Sequence, residues 1–350
     1  MNVVYASSDL YSELATVSIV SLLENNRAME AIRIFIIEDK ICDLHKRQMC
    51  ETVAKYGREI RFVSNVDVER LTNTAINVGR WHISTFSRLF LDRILPQDVR
   101  RVLYIDCDMM VRHSLAALWA SDMGEAWVLG VDDCRGAMYR QDIGIAKGAG
   151  YINNGMILID LAAWRVNNVE QLFCRFIEQR EGNVTYMDQG VLNGVLQPLG
   201  RVGLLPVAFN AQTAFYDLGY QGLCICRNPV WAYPQADFER DIGNPTIVHF
   251  TTCFLSGSRP WFQKDAHPYR GEFLHYRSLT PWADSPLWAD PTPAGKKLMT
   301  RVCQALPRPL MLACMRVLHS VAYPAARIVK RHALLLRRHT GGEPVAKKTH

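Results

Sequence analysis

Two carboxylates stand one residue apart in the segment Arg101-Val-Leu-Tyr-Ile-Asp106-Cys-Asp108, directly after a short apolar run. Alternate residues of an extended strand point to the same side, so we expect Asp106 and Asp108 to face one cation. Carboxylate oxygens suit Mn²⁺ or Mg²⁺, and such an ion neutralises a diphosphate leaving group. Because ligands of open α/β sheets bind beyond the carboxyl ends of strands, this position favours a metal site over a structural turn.

Three further polar positions border apolar runs. Asp188 and Gln189 begin a short helical run, where Asp188 is either the N-cap or, with Gln189, a ligand of sugar hydroxyls. Asn153 and Asn154 precede a buried strand and are either ordinary turn residues or part of the same site. His249 ends an apolar strand, where a histidine is either a satisfied core side chain or a third metal ligand.

Short apolar, β-branched runs bounded by polar turns recur along the chain and predict buried strands. Between several of them, apolar residues at helical spacing predict helices around residues 15–23 and 169–177. This alternation predicts an α/β fold with a mostly parallel sheet covered by helices on both faces. The predicted strands are Asn2–Ala6, Ile32–Ile37, Arg61–Ser64, Val102–Ile105, Trp127–Val131, Met156–Ile159 and Thr246–Phe250.

From about Leu199 to Asp290 the sequence is rich in Pro, Gly and aromatic residues without clear periodicity. We interpret this stretch as loops that wrap one edge of the site and expect no second catalytic domain there. The chain of 350 residues is 49% hydrophobic, which is enough for one large globular core.

The ten cysteines have neither the density nor the spacing of a disulfide scaffold or a zinc site, so we predict free thiols in a reducing compartment. The N-terminus does not resemble a signal peptide, and no apolar stretch reaches about 18 residues. We therefore expect a cytoplasmic protein without a transmembrane helix.

The last part of the chain is strongly basic. Residues 296–350 contain twelve Lys and Arg and a single acid, Glu343. At helical spacing the basic residues fall on one arc of about 120°, opposite Leu310, Leu312, Val321 and Ile328. The residues of the basic arc are Arg316, His319, Arg327, Lys330, Arg331, Arg337 and Arg338.

A basic amphipathic helix is typical of a segment that lies on an anionic membrane surface. Pro307, Pro309 and Pro324 break the pattern, so we expect two short helical pieces. A solvated, disordered basic tail is the alternative. Nucleic acid is not an expected partner, because no aromatic platform or reading motif accompanies the charge. We thus divide the chain into a catalytic domain, residues 1–285, and a membrane-associating tail, residues 286–350.

Taken together, these segments resemble glycosyltransferase family 8, especially the bacterial lipopolysaccharide galactosyl- and glucosyltransferases, from Val3 to about Trp282. Several motifs occur in the order typical of that family. They are Val-Tyr-Ala-Ser-Ser-Asp-Leu-Tyr11, His82-Ile-Ser-Thr-Phe-Ser-Arg88, Leu-Tyr-Ile-Asp106-Cys-Asp108, Ile-Asn153-Asn154-Gly, Asp188-Gln189 and His249-Phe.

The resemblance implies a GT-A type nucleotide-sugar-binding fold and a retaining hexosyltransferase. Such an enzyme would move galactose or glucose from a UDP-sugar to a glycan or lipid-linked glycan acceptor, such as lipopolysaccharide or another cell-surface polysaccharide. It also implies that the tail docks on the inner face of the plasma membrane, so that the protein is peripheral and cytoplasmic.

The resemblance also implies roles for individual residues. Asp106, Asp108 and His249 would bind Mn²⁺, with Mg²⁺ as the alternative, and Tyr11 would stack on the uracil. The catalytic residues would be Asp188 and Gln189. Acceptor-binding residues would be His82 and Asp133. Donor-binding residues would be Ala6, Ser8, Asp9, Tyr11, Arg88, Asp106, Cys107, Asn153, Asn154, Gly257 and Arg259.

Retention of configuration leaves two routes open. Double displacement needs a nucleophile, for which Gln189 is poor and Asp188 is better suited by type. We favour front-side attack, in which the leaving phosphate accepts the proton of the acceptor.

The sequence departs from the family pattern in two places. Ser8 and Leu10 stand where the family usually has an acidic residue and an asparagine that read the uracil edge, and Asp9 is a possible substitute. Downstream of His249, the family's short Gly-x-x-Lys-Pro-Trp segment corresponds to the longer stretch from Thr251 to Trp261, which includes Gly257 and has Arg259 in place of the lysine. Arginine still pairs with phosphate.

Other enzyme classes have little support in the sequence, since the signature motifs of serine hydrolases, P-loop kinases and zinc proteases are absent. A nucleotidyltransferase lacks the Gly-rich basic loop expected near its N-terminus. A nucleotide-sugar- or glycan-binding protein of the same fold without turnover remains the alternative to a transferase.

Overall fold

The computed structural model describes residues 1–79, 82–146, 148–229, 233–252, 259–322, 324–326 and 328–329. Of the predicted site residues, Gly257 lies outside the described residues. So do five basic residues of the predicted tail helix: Arg327, Lys330, Arg331, Arg337 and Arg338.

A seven-stranded sheet with the order β3-β2-β1-β4-β7-β6-β8 forms the centre of the protein. Neighbouring strands run parallel except for β7, which is antiparallel to both β4 and β6. The strands are β1 (Asn2–Ser8), β2 (Arg33–Asp39), β3 (Ile60–Ser64), β4 (Arg101–Ile105), β6 (Val128–Asp132), β7 (Ile152–Asp160) and β8 (Val202–Leu204).

A smaller sheet lies beside the first and has the order β5-β10-β9. Its strands are β5 (Met109–Val111), β9 (Ala211–Gln212) and β10 (Ile247–His249). All seven predicted strands are confirmed, with ends that differ by a few residues. The predicted mostly parallel sheet is confirmed as well.

Helices cover both faces of the large sheet. The predicted helices around residues 15–23 and 169–177 are confirmed as α1 and α8. A 3-10 helix, Ile83–Phe90, packs next to α8 and α9. The α-helices are α1 (Ser12–Asn25), α2 (Asp43–Ala54), α3 (Val68–Thr72), α4 (Leu91–Ile94), α5 (Ala116–Trp119), α6 (Ala137–Asp142), α7 (Leu161–Val166), α8 (Val169–Gln179), α9 (Met187–Leu196), α10 (Thr213–Arg227), α11 (Gln235–Gly243), α12 (Arg270–Ser278), α13 (Ala294–Ala305) and α14 (Arg308–Arg316).

Successive residues of the central strands face two separate hydrophobic cores. Val3 and Tyr5 of β1 belong to the core that includes α1, α2 and α12. Val4, between them, belongs to the core that includes α7, α8 and α9. Leu103 and Val102 of β4 alternate in the same way. This two-sided burial explains why the strands are apolar at nearly every position.

The interpretation of residues 199–290 as loops is wrong in part, because α10, α11 and α12 lie there. Helix α10 is bent at Gly219, whose φ of 65° and ψ of 177° are not helical. This kink divides the helix into two short pieces, so no regular 3.6-residue period runs through its sequence.

Helices α13 and α14 follow residue 293, and a π-helix, Val317–Ala322, follows α14. The predicted break at Pro307 is confirmed, whereas Pro309 lies in the first turn of α14 and does not break it. Met311, Leu312 and Met315 of α14 are buried against Phe215 of α10 and its neighbours. Leu312 was expected on a free apolar face, but it packs on the body of the protein instead. Leu310 and Val321 of the same predicted face are exposed.

Among the described residues, no helix combines the length and the apolar character needed to cross a membrane. The cysteines of the described part of the chain are free thiols, which agrees with the prediction.

A buried ion pair connects helix α1, near the start of the chain, to helix α12. Glu13 of α1 accepts a hydrogen bond of 2.6 Å from Nε of Arg277 in α12. Its second oxygen accepts a hydrogen bond of 2.8 Å from the indole nitrogen of Trp288. Both charged side chains are almost completely buried. Burial removes their hydration, so each charge depends on its partner for stabilisation.

We therefore expect Glu13→Ala to lower the free energy of unfolding by about 3–5 kcal/mol, because the Arg277 charge stays buried without its partner. Urea denaturation at pH 7 measures this loss. Asp237→Ala is the control, since it removes one of the two carboxylate partners of the exposed Arg240 and should cost less than about 1 kcal/mol. Equal losses for the two variants would contradict the assignment of a stabilising role to the buried pair.

Candidate functional site

A large cleft opens at the edge of the sheet where β1, β4 and β6 end. Because β7 is antiparallel to β4, its first residues lie at the same edge. All predicted site residues within the described part of the chain line this cleft. The separate sequence motifs therefore meet in one cleft, whereas their roles as site residues remain predictions.

Asp106, Asp108 and His249 bring one ligand atom each within 4.8 Å of one another. The strand argument for the two aspartates is wrong, since β4 ends at Ile105 and both carboxylates lie in the turn before β5. The register of the small sheet brings His249 to this turn, because it pairs with Met109. Two carboxylates and one imidazole fit a Mn²⁺ or Mg²⁺ ion.

Asp108 is ionised in spite of its burial. Burial alone raises the pKa of a carboxyl group, but His249 and Arg259 hold the pKa of Asp108 below its ordinary value. Nε2 of His249 lies 3.2 Å from one carboxylate oxygen, and a guanidinium nitrogen of Arg259 lies 3.3 Å from the other. Asp108 is therefore available as an anionic ligand at neutral pH.

Arg88 lies at the centre of the polar network. This buried guanidinium contacts Asp106 at 2.9 Å and Asp188 at 3.0 Å. It also donates a hydrogen bond of 2.8 Å to the carbonyl oxygen of Asn154 and lies 4.3 Å from the ring centroid of Tyr104. One cation therefore links the turn that carries the candidate metal ligands to helix α9.

Asp188 is the second residue of α9, and the N-cap position is occupied by Tyr186, so the capping interpretation is wrong. Its carboxylate accepts a hydrogen bond of 2.6 Å from the side chain of Asn154. Burial raises the pKa of Asp188, while Arg88 and Asn154 oppose this shift. The side chain is directed into the cleft instead of capping its own helix.

Asn153 and Asn154 belong to β7, so the interpretation as turn residues is wrong. A register shift between Gly130 and Val131 of the neighbouring β6 interrupts regular pairing near them. Such bulges re-aim side chains next to sites. Asn153 donates through its side chain to Gln189 at 3.3 Å.

Gln189 bridges β7 and the loop after β6. Its Oε1 accepts a hydrogen bond of 3.4 Å from the backbone N–H of Asn154, and its Nε2 donates to Asp133 at 3.2 Å. Asp133 is almost completely buried. Burial raises the pKa of a carboxyl, yet Arg135 and Arg227 hold the pKa of Asp133 below its ordinary value. Arg135 was not predicted from the sequence, where its only signal is its position two residues after Asp133.

The opposite wall of the cleft contains the end of β1. Tyr11 is 39% exposed and meets the ring of Trp288 edge-on, with the centroids 6.1 Å apart. Ala6 accepts a hydrogen bond from the Cys107 thiol through its carbonyl oxygen. Ser8 precedes a short 3-10 helix that contains Asp9 and Tyr11.

Asp9 is engaged with other residues of the protein. One oxygen accepts a hydrogen bond of 2.9 Å from the backbone N–H of Cys42 and lies 2.8 Å from Nδ1 of His45. The predicted acceptor residue His82 is exposed at the rim, where its Nδ1 lies 3.0 Å from Asp39.

Gly155 allows the candidate metal ligands to approach one another. A Cβ at this position would lie 2.5 Å from Cε1 of His249, 2.8 Å from Oδ2 of Asp106 and 2.9 Å from Cε of Met109. Any larger residue would displace the candidate ligands, so a glycine is required here by space.

A model of the family described as glycosyl transferase family 8 matches residues 2–265, which include every candidate metal ligand. The chain belongs to glycosyltransferase family 8. The sequence-based recognition of this family is confirmed, and a glycosyltransferase is the protein class that the comparisons support.

Characterised relatives and solved structures are similar over most of the chain. General stress protein A of Bacillus subtilis (strain 168) is 27% identical over 285 residues, which cover 81% of this chain and 94% of the relative. The lipopolysaccharide 1,3-galactosyltransferase of Salmonella typhimurium (strain LT2) is 26% identical over 276 residues, or 76% of this chain and 74% of the relative.

The crystal structure of galactosyltransferase LgtC in complex with donor and acceptor sugar analogues superposes with a TM-score of 0.67. The two sequences are 26% identical, and the match covers 80% of this chain and 96% of LgtC. The predicted GT-A type fold is thereby confirmed.

We expect Gly155→Ala to weaken Mn²⁺ binding about 5- to 150-fold, because the added methyl group displaces the candidate ligands at a cost of about 1–3 kcal/mol. Titration of free Mn²⁺ by electron paramagnetic resonance measures the affinity. Gly271→Ala is the control, since nothing lies within 4 Å of the added Cβ. An unchanged affinity in Gly155→Ala would show that the three side chains do not form the metal site.

Proposed function

We propose that this family member is a UDP-sugar-dependent, retaining hexosyltransferase. It transfers galactose or glucose to a glycan or lipid-linked glycan acceptor, such as lipopolysaccharide or another cell-surface polysaccharide. The observation that carries the proposal is the convergence of Asp106, Asp108 and His249 with the Arg88–Asp188 pair in one cleft. The named activity of the Salmonella relative supports the choice of sugar and acceptor class.

Asp106, Asp108 and His249 would hold Mn²⁺ or Mg²⁺. When bound, the ion supplies positive charge that stabilises the departing diphosphate. Arg259 lies beside Asp108 and presents a second cation to the same group. Guanidinium groups bind phosphate oxygens in a bidentate manner, which favours a role of Arg259 in holding the diphosphate.

The donor sugar would lie against Arg88, Asn153, Asn154, Asp188 and Gln189. These side chains bring both donors and acceptors of hydrogen bonds into one buried region. Sugar hydroxyls both donate and accept, so such a mixed lining suits them.

The base of the donor would stack on Tyr11, beside Ala6, Ser8, Asp9 and Cys107. A half-exposed aromatic ring on the cleft wall supports this assignment, because a base gains free energy from stacking on it.

Front-side attack remains the favoured route. One carboxylate oxygen of Asp188 is already bound by Arg88 and Asn154, which reduces its strength as a nucleophile. Gln189 has a neutral amide, and its oxygen accepts hydrogen bonds from Asn153 and Asn154. The proton of the acceptor would then pass to the leaving phosphate. His82 and Asp133 would contact the acceptor at the open side of the cleft.

We also propose that residues 286–350 form a membrane-associating tail of a catalytic domain made by residues 1–285. Helix α13 exposes Leu298, Met299 and Val302 to solvent. Lys296, Lys297 and Arg301 lie on the same helix, and this combination suits an anionic membrane surface. The protein would thus be peripheral on the inner face of the plasma membrane. The buried face of α14 is excluded from this contact, because it packs on α10.

The first test is release of UDP from a panel of UDP-sugars by the purified protein, with Mn²⁺ or with EDTA. We expect metal-dependent turnover of UDP-galactose or UDP-glucose, and loss of at least about 99% of this turnover in Asp108→Asn, because a metal ligand is removed. Asp284→Asn, at an exposed position, is the matched control.

Turnover that is insensitive to EDTA would overturn the metal assignment. If the protein neither turns over a UDP-sugar nor binds UDP in calorimetry, the glycan-binding alternative is favoured.

The tail is tested with liposomes that contain anionic lipid. We expect Leu298→Glu combined with Val302→Glu to reduce binding at least tenfold, because charge replaces apolar area on the contact face. Thermal denaturation should be unchanged, since both side chains are exposed. The double variant Leu44→Glu with Val166→Glu, at exposed apolar positions elsewhere, is the control. Equal binding of both double variants would show that α13 does not contact the membrane.

A further inference from the structure

Asn210 connects the candidate metal site to the candidate sugar site through a fully buried amide. Its Oδ1 lies 2.9 Å from Nδ1 of His249. Its Nδ2 donates a hydrogen bond of 3.0 Å to Oδ1 of Asn153. The residue lies between the third 3-10 helix, Val207–Phe209, and β9, and no role for it was predicted from the sequence.

A backbone group fixes the direction of these hydrogen bonds. The N–H of Gly155 donates to Oδ1 of Asn153 at 3.0 Å, and a backbone N–H cannot exchange its role with an acceptor. Oδ1 of Asn153 is therefore the acceptor end of that amide. The group of Asn210 that faces it must be the donor, Nδ2, so Oδ1 of Asn210 must face His249.

A second backbone group supports the same direction. The N–H of Asn154 donates to Oε1 of Gln189, which leaves Nε2 of Gln189 to donate to Asp133. Nδ2 of Asn153 then donates to both Gln189 and Asp133 at 3.3 Å. The side-chain amides of Asn153, Gln189 and Asn210 each have one orientation that satisfies all their hydrogen-bond partners. Their oxygen and nitrogen atoms, which are usually hard to distinguish, are therefore assigned by the hydrogen bonds.

Because Oδ1 of Asn210 accepts a hydrogen bond, Nδ1 of His249 must carry a proton. In the neutral imidazole the lone pair is then on Nε2, the atom that faces Asp108 at 3.2 Å. A proton on Nε2 forms the hydrogen bond to Asp108 in the imidazolium, and a divalent cation that replaces this proton meets the Nε2 lone pair and the carboxylate together. The amide therefore prepares Nε2 of His249 as a metal ligand.

We infer that Asn210 is a positioning residue that selects the Nδ1–H tautomer of His249 and thereby sets the affinity of the site for Mn²⁺. Through its hydrogen bond to Asn153, Asn210 also links the orientation of His249 to the residues around the donor sugar. The inference rests on the metal site of the proposed function. It adds a residue that touches neither the metal nor the sugar.

The experiment compares Asn210→Leu, which removes both hydrogen bonds at similar volume, with Asn26→Leu. Asn26 is equally buried and makes hydrogen bonds to backbone groups of α1 and the loop before α5. Both variants lose a buried amide, so both should lose stability. Only Asn210→Leu should weaken Mn²⁺ binding, by about 10–100-fold, as measured by electron paramagnetic resonance.

The tautomer is measured independently of metal binding and of activity. Histidine labelled with ¹⁵N distinguishes protonated from unprotonated ring nitrogens at pH 8, and His249→Gln assigns the signal. We expect Nδ1–H in the wild-type protein, a mixture of tautomers in Asn210→Leu, and Nδ1–H again in Asn210→Asp, which keeps an acceptor oxygen next to His249. If Asn210→Leu does not fold, Asn210→Ser replaces it in both measurements.

The outcomes separate this inference from the proposed function. If the wild-type protein binds no Mn²⁺, the proposed metal site fails. If the wild-type protein binds Mn²⁺ and Asn210→Leu binds it equally well, or keeps a single Nδ1–H tautomer, the role of Asn210 is refuted.

Discussion

The buried guanidinium of Arg88 is the interaction on which the rest of the site depends. Two carboxylates, Asp106 and Asp188, lie close to it from different parts of the fold. Without a cation they would repel each other, and without them the buried arginine would bear the full cost of desolvation. The turn after β4, the strand β7 and the start of α9 are thus held in one arrangement. The cleft is preorganised by charge before any substrate enters it.

The sequence was most informative where burial is two-sided and extensive. The central strands are apolar at nearly every position because their residues alternate between two cores, and such runs are recognisable without a structure. The strands β5, β8 and β9 contain only two or three residues and show no period. Helix α10 escaped detection because Gly219 bends it, and Leu312 was misplaced because a pattern of apolar residues does not reveal which surface covers them.

In the candidate site, too, some residues could be recognised from local sequence, whereas others depend on contacts between distant parts of the chain. The aspartates were found by their types and spacing, although they lie in a turn and not along a strand. Asp188 was found by type as well, but the N-cap alternative is wrong because α9 begins at Met187 and its N-cap position is Tyr186. Asn210 could not be found, since its importance depends on partners 39 and 57 residues away in sequence. Local patterns indicate which residues are chemically capable, whereas contacts through space decide which of them act together.

The ion pair between Glu13 and Arg277 has a consequence for the synthesis of the protein on the ribosome. The two residues are 264 positions apart. At about 5–20 residues per second, helix α1 leaves the ribosome tens of seconds before its partner is made. During this interval a carboxylate that belongs in the interior has no counter-charge, so the first half of the chain cannot close its core around α1. The domain must complete its folding late, as a single unit, after α12 and Trp288 have emerged.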